Sequence, residues 1–416
     1  MVLGKTLRLC KTTQTVPIKF STYCLLFIPF FLLFYAEPVQ VGSIPVSQIW
    51  KLPLAVFMLY YVFQYRSKPT PLWTQTSYWI SFKSLFNAGT VTDLMTNVQA
   101  SLKFLFLPLI YSFASSKAMS RETLVTVLLL LCQYFVLTNI PIFLGLPMLS
   151  SGHDYGAYVA YSGIFQNQHA MSVIMGICIA IILHFFKAGR FKSRGAKVYN
   201  IVLLAIAAYA MYRGFARTGW LMCLLSVFVL FWPKDATVRQ WIGIITITAV
   251  LAGGVTIMML TNELFRDRVL GNNIQTHEKM NIDSGRSEYT AAAFERYCIG
   301  TPLEQFIGMS TQDEMDYIQL KTRNRVGAHN GFMDMLARNG IIGITLMFLM
   351  LFTLLFFIYR RKDCPTYRLA LALWLMNFSF QVTQGGSMFH TDLLYALVFC
   401  LLEEEYELPT QSALIR

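Results

Sequence analysis

The sequence predicts an all-α fold, a polytopic membrane helix bundle of about twelve spans with one long loop on the outer face. Three observations predict it. Of 416 residues, 55% are hydrophobic and 13% charged, whereas soluble chains carry about 25% charged residues. The apolar residues gather in runs near the roughly 20 residues that cross a bilayer. The Lys and Arg residues sit in short clusters between those runs, on alternate loops, as the positive-inside rule requires. Together these exclude an ordinary soluble globular protein. The net charge of +12 is divided among loops and forms no continuous stripe, which argues against nucleic-acid binding.

The first run, Phe20 to Tyr35, follows Lys5, Arg8, Lys11 and Lys19 as a signal peptide would. Ala36-Glu37-Pro38 is a poor cleavage site and further runs follow, so it reads as a retained first helix. The next are Val46–Tyr65, Tyr78–Val91, Val98–Ala114, Leu124–Leu144, Ala170–Phe186, Tyr199–Tyr212, Trp220–Trp232 and Trp241–Leu260. The last three are Ile341–Tyr359, Leu369–Thr383 and Leu393–Leu402. Tyr78–Val91 is the weakest, because Lys83 interrupts a short run. The chain thus divides into spans one to nine over 1–260, an outer loop carrying the catalytic candidates over 261–340, and the last spans with a cytoplasmic tail over 341–416.

One set of loops is basic: the N-terminal stretch, Arg66/Lys68, Lys117/Arg121, the run from Lys187 to Lys197, Lys234/Arg239, and Arg360 to Arg368. The opposite set, 36–48, 145–168 and 384–390, is almost free of Lys and Arg. The alternation requires the weak third span, and it places both termini in the cytoplasm. The eight cysteines are scattered without a C-x-x-C pair and read as small membrane-core residues.

The segment Thr261 to Gly340 carries both signs of charge and by parity lies outside. Within it Ser287 to Cys298 predicts a short helix ended by Gly300-Thr301-Pro302, and Gly331 to Asn339 a second helix running into the tenth span. In Gly327-Ala328-His329-Asn330-Gly331, His329 falls in the first turn of that second helix. Phe332, Met333 and Leu336 continue its face, and the helix dipole favours a neutral imidazole able to accept a proton. A plain capping residue is the equal alternative. Arg213 and Arg217, four apart at an outward turn, share a helix face where a short outer loop should avoid arginine, which points to a bound anion. A lipid headgroup contact is the alternative for Arg213. Arg286 lies near a helix start, where backbone amides and a guanidinium can share a phosphate, or it forms a surface salt bridge.

His153-Asp154 and the stretch from Gly163 to His169, with Asn167, either line a cavity or sit at the interface. His184 and His390 read as packing or interface residues. Asp313, Glu314 and Asp316 read as a solvated loop face and not as a cation site. Neither a P-loop, nor a dinucleotide fingerprint, nor a metal-ligand set occurs, so no cofactor and no metal is called for.

At this point the chain resembles the bacterial O-antigen ligase and O-antigen polymerase superfamily of membrane glycosyltransferases. His329-Asn330, nine residues, Gly340, two residues and Gly343 fit the ligase signature H-[NSR]-x9-G-x2-[GTY]. Ser284-Gly285-Arg286, the Gly163, Phe165 and Asn167 element and Arg217-Thr218-Gly219 also match the family's pattern. Unlike related pilin-glycosylating enzymes with their large C-terminal extension, this chain's outer loop reads as compact, an expectation that argues against a protein acceptor.

The resemblance implies transfer of O-antigen polysaccharide from undecaprenyl pyrophosphate to a lipid A–core acceptor at the periplasmic face, in lipopolysaccharide biosynthesis. It implies an inverting, metal-independent glycosyltransferase. His329 would take the acceptor proton, Arg217 and Arg286 would stabilise the departing pyrophosphate, and Arg213, Asn330, Asn167 and His169 would bind substrate. The alternatives are the superfamily's polymerases, whose acceptor is a second lipid-linked glycan, and a glycolipid transporter.

Overall fold

A computed structural model of the chain describes residues 40–41, 44–45, 51–65, 69–86, 91–116, 120–144, 153–154, 159–165, 167–232, isolated positions between 242 and 267, 286–385 and 388–414. The expected first span lies outside these residues, as does most of the expected ninth. So do Ser284 and Gly285.

The architecture is helical, apart from two short antiparallel pairs, β1 (Gln40–Val41) with β2 (Ile44–Pro45) and β3 (His153–Asp154) with β4 (Val159–Ala160). Before the outer loop come α1 (Lys51–Tyr65), α2 (Leu72–Ser84), α3 (Val91–Ser116), α4 (Arg121–Leu137), α5 (Asn139–Phe143), α6 (Gln168–Lys187), α7 (Arg194–Gly214) and α8 (Arg217–Phe231). Three short helices follow, α9 (Arg286–Cys298), α10 (Pro302–Ile307) and α11 (Thr311–Thr322), and then α12 (Gly331–Tyr359), α13 (Tyr367–Thr383) and α14 (Phe389–Leu414). Among the described residues three helices are long and apolar enough to cross a membrane: α6, α7 and α12. The shorter apolar stretches Lys51–Gln64, Ala100–Ser116 and Arg217–Phe231 fall below that length.

The apolar runs become helices in which the backbone satisfies itself, α3 absorbing Pro108 within its length, and polar residues at their flanks cap them. Ser120 and Ser193 accept from Thr123 and Ala196 at the starts of α4 and α7. The centre is α6, buried along most of its length and packed against α4, α7, α8, α13 and α14. Small residues permit its closest crossing. A Cβ at Gly219 of α8 would lie 2.4 Å from Ser172 Cβ of α6, so only glycine allows the two backbones to meet there. The helix in place of the expected weak third span is 13 residues long, Leu72 to Ser84, and begins earlier than Tyr78. Its buried face sets hydroxyls beside Trp73 and Ile80: Ser77 donates to Phe104 O at 2.7 Å and Ser81 to Ser101 O at 2.9 Å. Hydroxyls bonded across to α3 explain why hydropathy alone made this element weak.

Basic loop residues gather at one end. Lys187 donates to Leu230 O at 2.7 Å, Arg368 to Trp232 O, and Arg121 pairs with Glu405 at 2.9 Å. The starts of α6 and α8 and the end of α13 lie at the other.

There α12 breaks. Gly340, at φ 65° and ψ −164°, interrupts the helix between its outer segment and its apolar length. A Cβ on Gly340 would meet Phe306 O at 2.4 Å, because the α10–α11 connection docks in the break. A left-handed backbone with no room for a side chain accepts glycine alone. Thr301 caps α10 through a capping box with Glu304 and Pro302 at the first turn, so this triplet starts a helix as well as ending one.

Candidate active site

Four helix termini converge on the face opposite the basic end. Asn167 caps α6, its side chain accepting from Ala170 N at 2.8 Å, which sets His169 in the first turn. Arg217 is the first residue of α8. The single face expected for Arg213 and Arg217 does not form: α7 ends at Gly214, Phe215 takes the left-handed conformation at φ 50°, and Ala216 begins α8. That turn separates the two arginines onto different helices. Arg213 is exposed and donates to Tyr209 OH at 3.3 Å, whereas Arg217 is half-buried and lies beside Thr218.

Arg286 opens α9, one residue before the expected helix start. Its Nη1 donates to the carbonyl of Thr383, the last residue of α13, at 3.0 Å. With its carboxamide oxygen turned toward the guanidinium, Gln384 accepts from Arg286 Nη2 at 3.0 Å and Nη1 at 3.1 Å. The same oxygen lies 3.3 Å from His169 Nδ1, which in turn is 3.4 Å from Thr218 Oγ1. One chain of contacts therefore joins Arg286 to His169 and to the first turn of α8, where Arg217 stands. The structure brings together residues 169, 218 and 286, with Arg217 next to Thr218 in the chain.

His329 completes this face, though not as a helical residue. Asn330 is the N-cap of α12, its side chain accepting from Phe332 N at 3.0 Å and Met333 N at 3.2 Å. His329 precedes it at φ 52°. A non-glycine residue held there costs on the order of 1 kcal/mol or more and persists only where its surroundings impose it. Here they do: Thr290 donates to Ala328 O at 3.0 Å, and Ala328 N donates to Asp334 Oδ1 at 3.1 Å. The Tyr289 ring lies 5.9 Å from the imidazole, centroid to centroid. Burial lowers the His329 pKa below its ordinary value and the Arg286 charge lowers it further, against a smaller opposing effect of Asp334. What lowers the imidazole pKa is burial and the charge of Arg286, not a place inside the helix. An unprotonated imidazole beside a fixed guanidinium can take a proton while the arginine stabilises an anion.

Behind this turn the expected solvated acidic face is partly overturned. Asp313 and Asp316 are exposed, but Glu314 is fully buried and pairs with Arg338 Nε. Arg338 Nη2 also reaches Asp334 Oδ1 at 3.3 Å. Burial, and secondarily Asp334, pushes the Glu314 carboxyl up to about 8 against the pull of Arg338. This cluster braces the start of α12 and with it the His329 turn. Sequence reasoning missed Gln384 and Asp334. Asp334, an acid in the first turn of a helix beginning after His329, carried a readable signal, whereas Gln384 carried none beyond its place in a loop poor in charge.

The remaining candidates lie elsewhere. His390 is buried with its ring 5.2 Å from Phe165 and 6.0 Å from Phe135, a packing role. His184 sits near the basic end of α6. Cys132, Cys178, Cys223 and Cys400 are buried as expected, but Cys298 is exposed on α9, because its helix belongs to the outer loop. Cys10 and Cys24 lie outside the described residues.

Residues 201–348, a little over a third of the chain, match the family model described as O-antigen ligase. The match runs from α7 through the outer loop into α12 and includes Arg213, Arg217, Arg286 and His329. No curated protein sequence matches the chain.

Proposed function

Residues 201–348 match the family model described as O-antigen ligase, and on that premise we propose that this protein is a membrane glycosyltransferase that transfers a polysaccharide from undecaprenyl pyrophosphate to lipid A–core. The geometry that carries the reading is His329, held at φ 52° just before the α12 N-cap, with Arg286 lowering its pKa and itself tied to the helix start that bears Arg217.

The proposed step needs little more than these groups. The acceptor hydroxyl oxygen attacks the anomeric carbon of the donor from the face opposite the leaving group, with inversion. Its proton passes to His329, and the bond from the anomeric carbon to the phosphate oxygen breaks. The electron pair leaves on undecaprenyl pyrophosphate, whose growing charge Arg286 and Arg217 receive. Each charged hydrogen bond of this kind contributes about 1.5–3 kcal/mol, and general-base help is worth roughly 10²–10⁴-fold. Two arginines supply the positive charge that many phosphate-handling sites take from a cation. Arg213, exposed on the neighbouring helix end, acts as a second contact for the donor. Asn167 and Asn330 act mainly by fixing the helix starts that aim His169 and His329. In this reading the bundle of about twelve spans lies in the bacterial inner membrane with both termini in the cytoplasm. The site then opens to the periplasm, and the lipid tails of both substrates reach it through the bilayer.

The test is a transfer assay with purified protein in detergent, lipid-linked glycan and rough lipopolysaccharide, with and without a chelator, beside His329→Ala. Glycan on lipid A–core, insensitive to chelator and lost in the variant, is the expected result. Longer lipid-linked chains with unmodified core would make the protein a polymerase. Binding of lipid-linked glycan without transfer of either kind would favour a transporter.

A further inference from the structure

Gln384 belongs to no motif in the sequence, yet the starts of α9 and α6 meet on its side chain. With its carboxamide oxygen turned toward the guanidinium, the orientation that satisfies both partners, it accepts from Arg286 Nη2 at 3.0 Å and Nη1 at 3.1 Å and faces His169 Nδ1 at 3.3 Å. The adjoining carbonyl of Thr383 takes Arg286 Nη1 at 3.0 Å, and His169 Nδ1 is 3.4 Å from Thr218 Oγ1. We propose that Gln384 is a positioning residue for the donor: it fixes the plane of the Arg286 guanidinium and couples it, through His169 and Thr218, to the first turn of α8 that carries Arg217.

The residue type follows from the task. A guanidinium is planar, with five N–H groups in a fixed fork, so acceptors in its plane set the direction of the whole group. A carboxylate in this place would hold it more strongly but would cancel the charge needed by a departing pyrophosphate. A carboxamide oxygen restrains the arginine and leaves its charge intact. The same oxygen favours the proton on His169 Nδ1, which fixes the ring's tautomer and orientation. An apolar side chain of similar size fills the space and restrains nothing.

The inference rests on the glycosyltransferase reading for its kinetic consequences, and on the contacts alone for its structural one, so two experiments separate them. In the transfer assay Gln384→Glu is expected to lower kcat/KM for the donor at least tenfold with acceptor half-saturation unchanged. Gln384→Leu is expected to cause a smaller loss, and to add none on top of Arg286→Ala. In thermal unfolding without substrate, the midpoint shifts of Gln384→Leu and Arg286→Ala should be less than additive. Gln384→Glu at wild-type turnover, or equal loss for donor and acceptor, overturns the positioning role. Additive thermal shifts overturn the contact itself. If the wild-type protein transfers nothing, the glycosyltransferase reading fails and the thermal cycle alone decides for or against the Gln384 link to Arg286.

Discussion

The backbone amide of Met309 donates to the carbonyl of Ala337 at 2.9 Å, where an unbroken α12 would place the amide of Ile341. The break in the helix and the docking of the outer-loop connection are therefore one arrangement, since the carbonyl released by the first is satisfied by the second. Gly308, at φ 93°, lets the connection come close enough: a Cβ there would lie 2.1 Å from Arg338 O. The glycine at the tenth position after Asn330 in the ligase signature is this break.

Gly340→Ala should cost about 1–3 kcal/mol in backbone strain alone and more from the clash with Phe306 O. Undocking of α10 is the expected consequence. Faster cleavage in limited proteolysis between 299 and 311 measures it, and an unchanged cleavage pattern would contradict the proposed docking.

His329 must be unprotonated to act as a base, and its pKa lies below the usual imidazole value of 6.5. Transfer should therefore hold from neutral pH down through 6.5 and fall only below it. The lowering comes in part from Arg286, so Arg286→Gln should move the imidazole titration upward. Histidine-selective NMR reads that shift without any turnover.

Glu314 has its carboxyl pushed above the ordinary value of 4.5 to about 8, so the folded protein holds a proton that the unfolded chain releases. Its contribution to stability is complete below about 4.5 and is lost as pH rises through 8. Thermal midpoints should fall over that window in the wild type and change less in Glu314→Gln. Arg338→Ala removes the partner and leaves a carboxyl in the interior. With the carboxyl protonated at neutral pH, what is lost is a hydrogen bond to a charged donor, about 1.5–3 kcal/mol, and Arg338→Ala combined with Glu314→Leu should recover part of it.

Gly219→Ala places a methyl 2.4 Å from Ser172 Cβ and should push the start of α8, with Arg217 and Thr218, away from α6. Donor half-saturation should rise several-fold while the protein still inserts and purifies. Pairing it with Ser172→Gly removes the nearest obstacle and should restore part of the loss. If the double variant is as impaired as the single one, the close approach is not what positions Arg217.

The parts legible in sequence were those with a local cause. Apolar runs gave the positions of α6, α7, α8, α12 and α13, and the helix expected from Ser287 appears from Arg286. His329, Arg217 and Arg286 stood out because charge or imidazole at an outer helix end lacks an ordinary reason to be there. The left-handed Phe215 was not legible, since a β-type aromatic seldom adopts that conformation, and it moved Arg213 off the face of Arg217. Burial of Glu314 depends on Arg338, 24 residues onward, and no pattern within α11 announces it. The start of α10 was legible, because Thr301 and Glu304 have capping-box spacing, but Pro302 was read only as a stop. Gln384 acts through residues 98 and 215 positions away, a distance at which composition and periodicity are silent.

Each of the residues tied together on the outer face, His169, Thr218, Arg286 and Gln384, stands within two positions of a helix terminus. Helix length is therefore a variable of the chemistry. One residue deleted from the middle of α13 would draw its end back by about 1.5 Å and turn it by about 100°. Thr383 and Gln384 would leave Arg286 with every functional side chain still present in the sequence. Divergence of such a protein can run freely through substitutions along its spans, while insertions and deletions within α6, α8 or α13 are barred by geometry and must fall in the loops at the opposite, basic end.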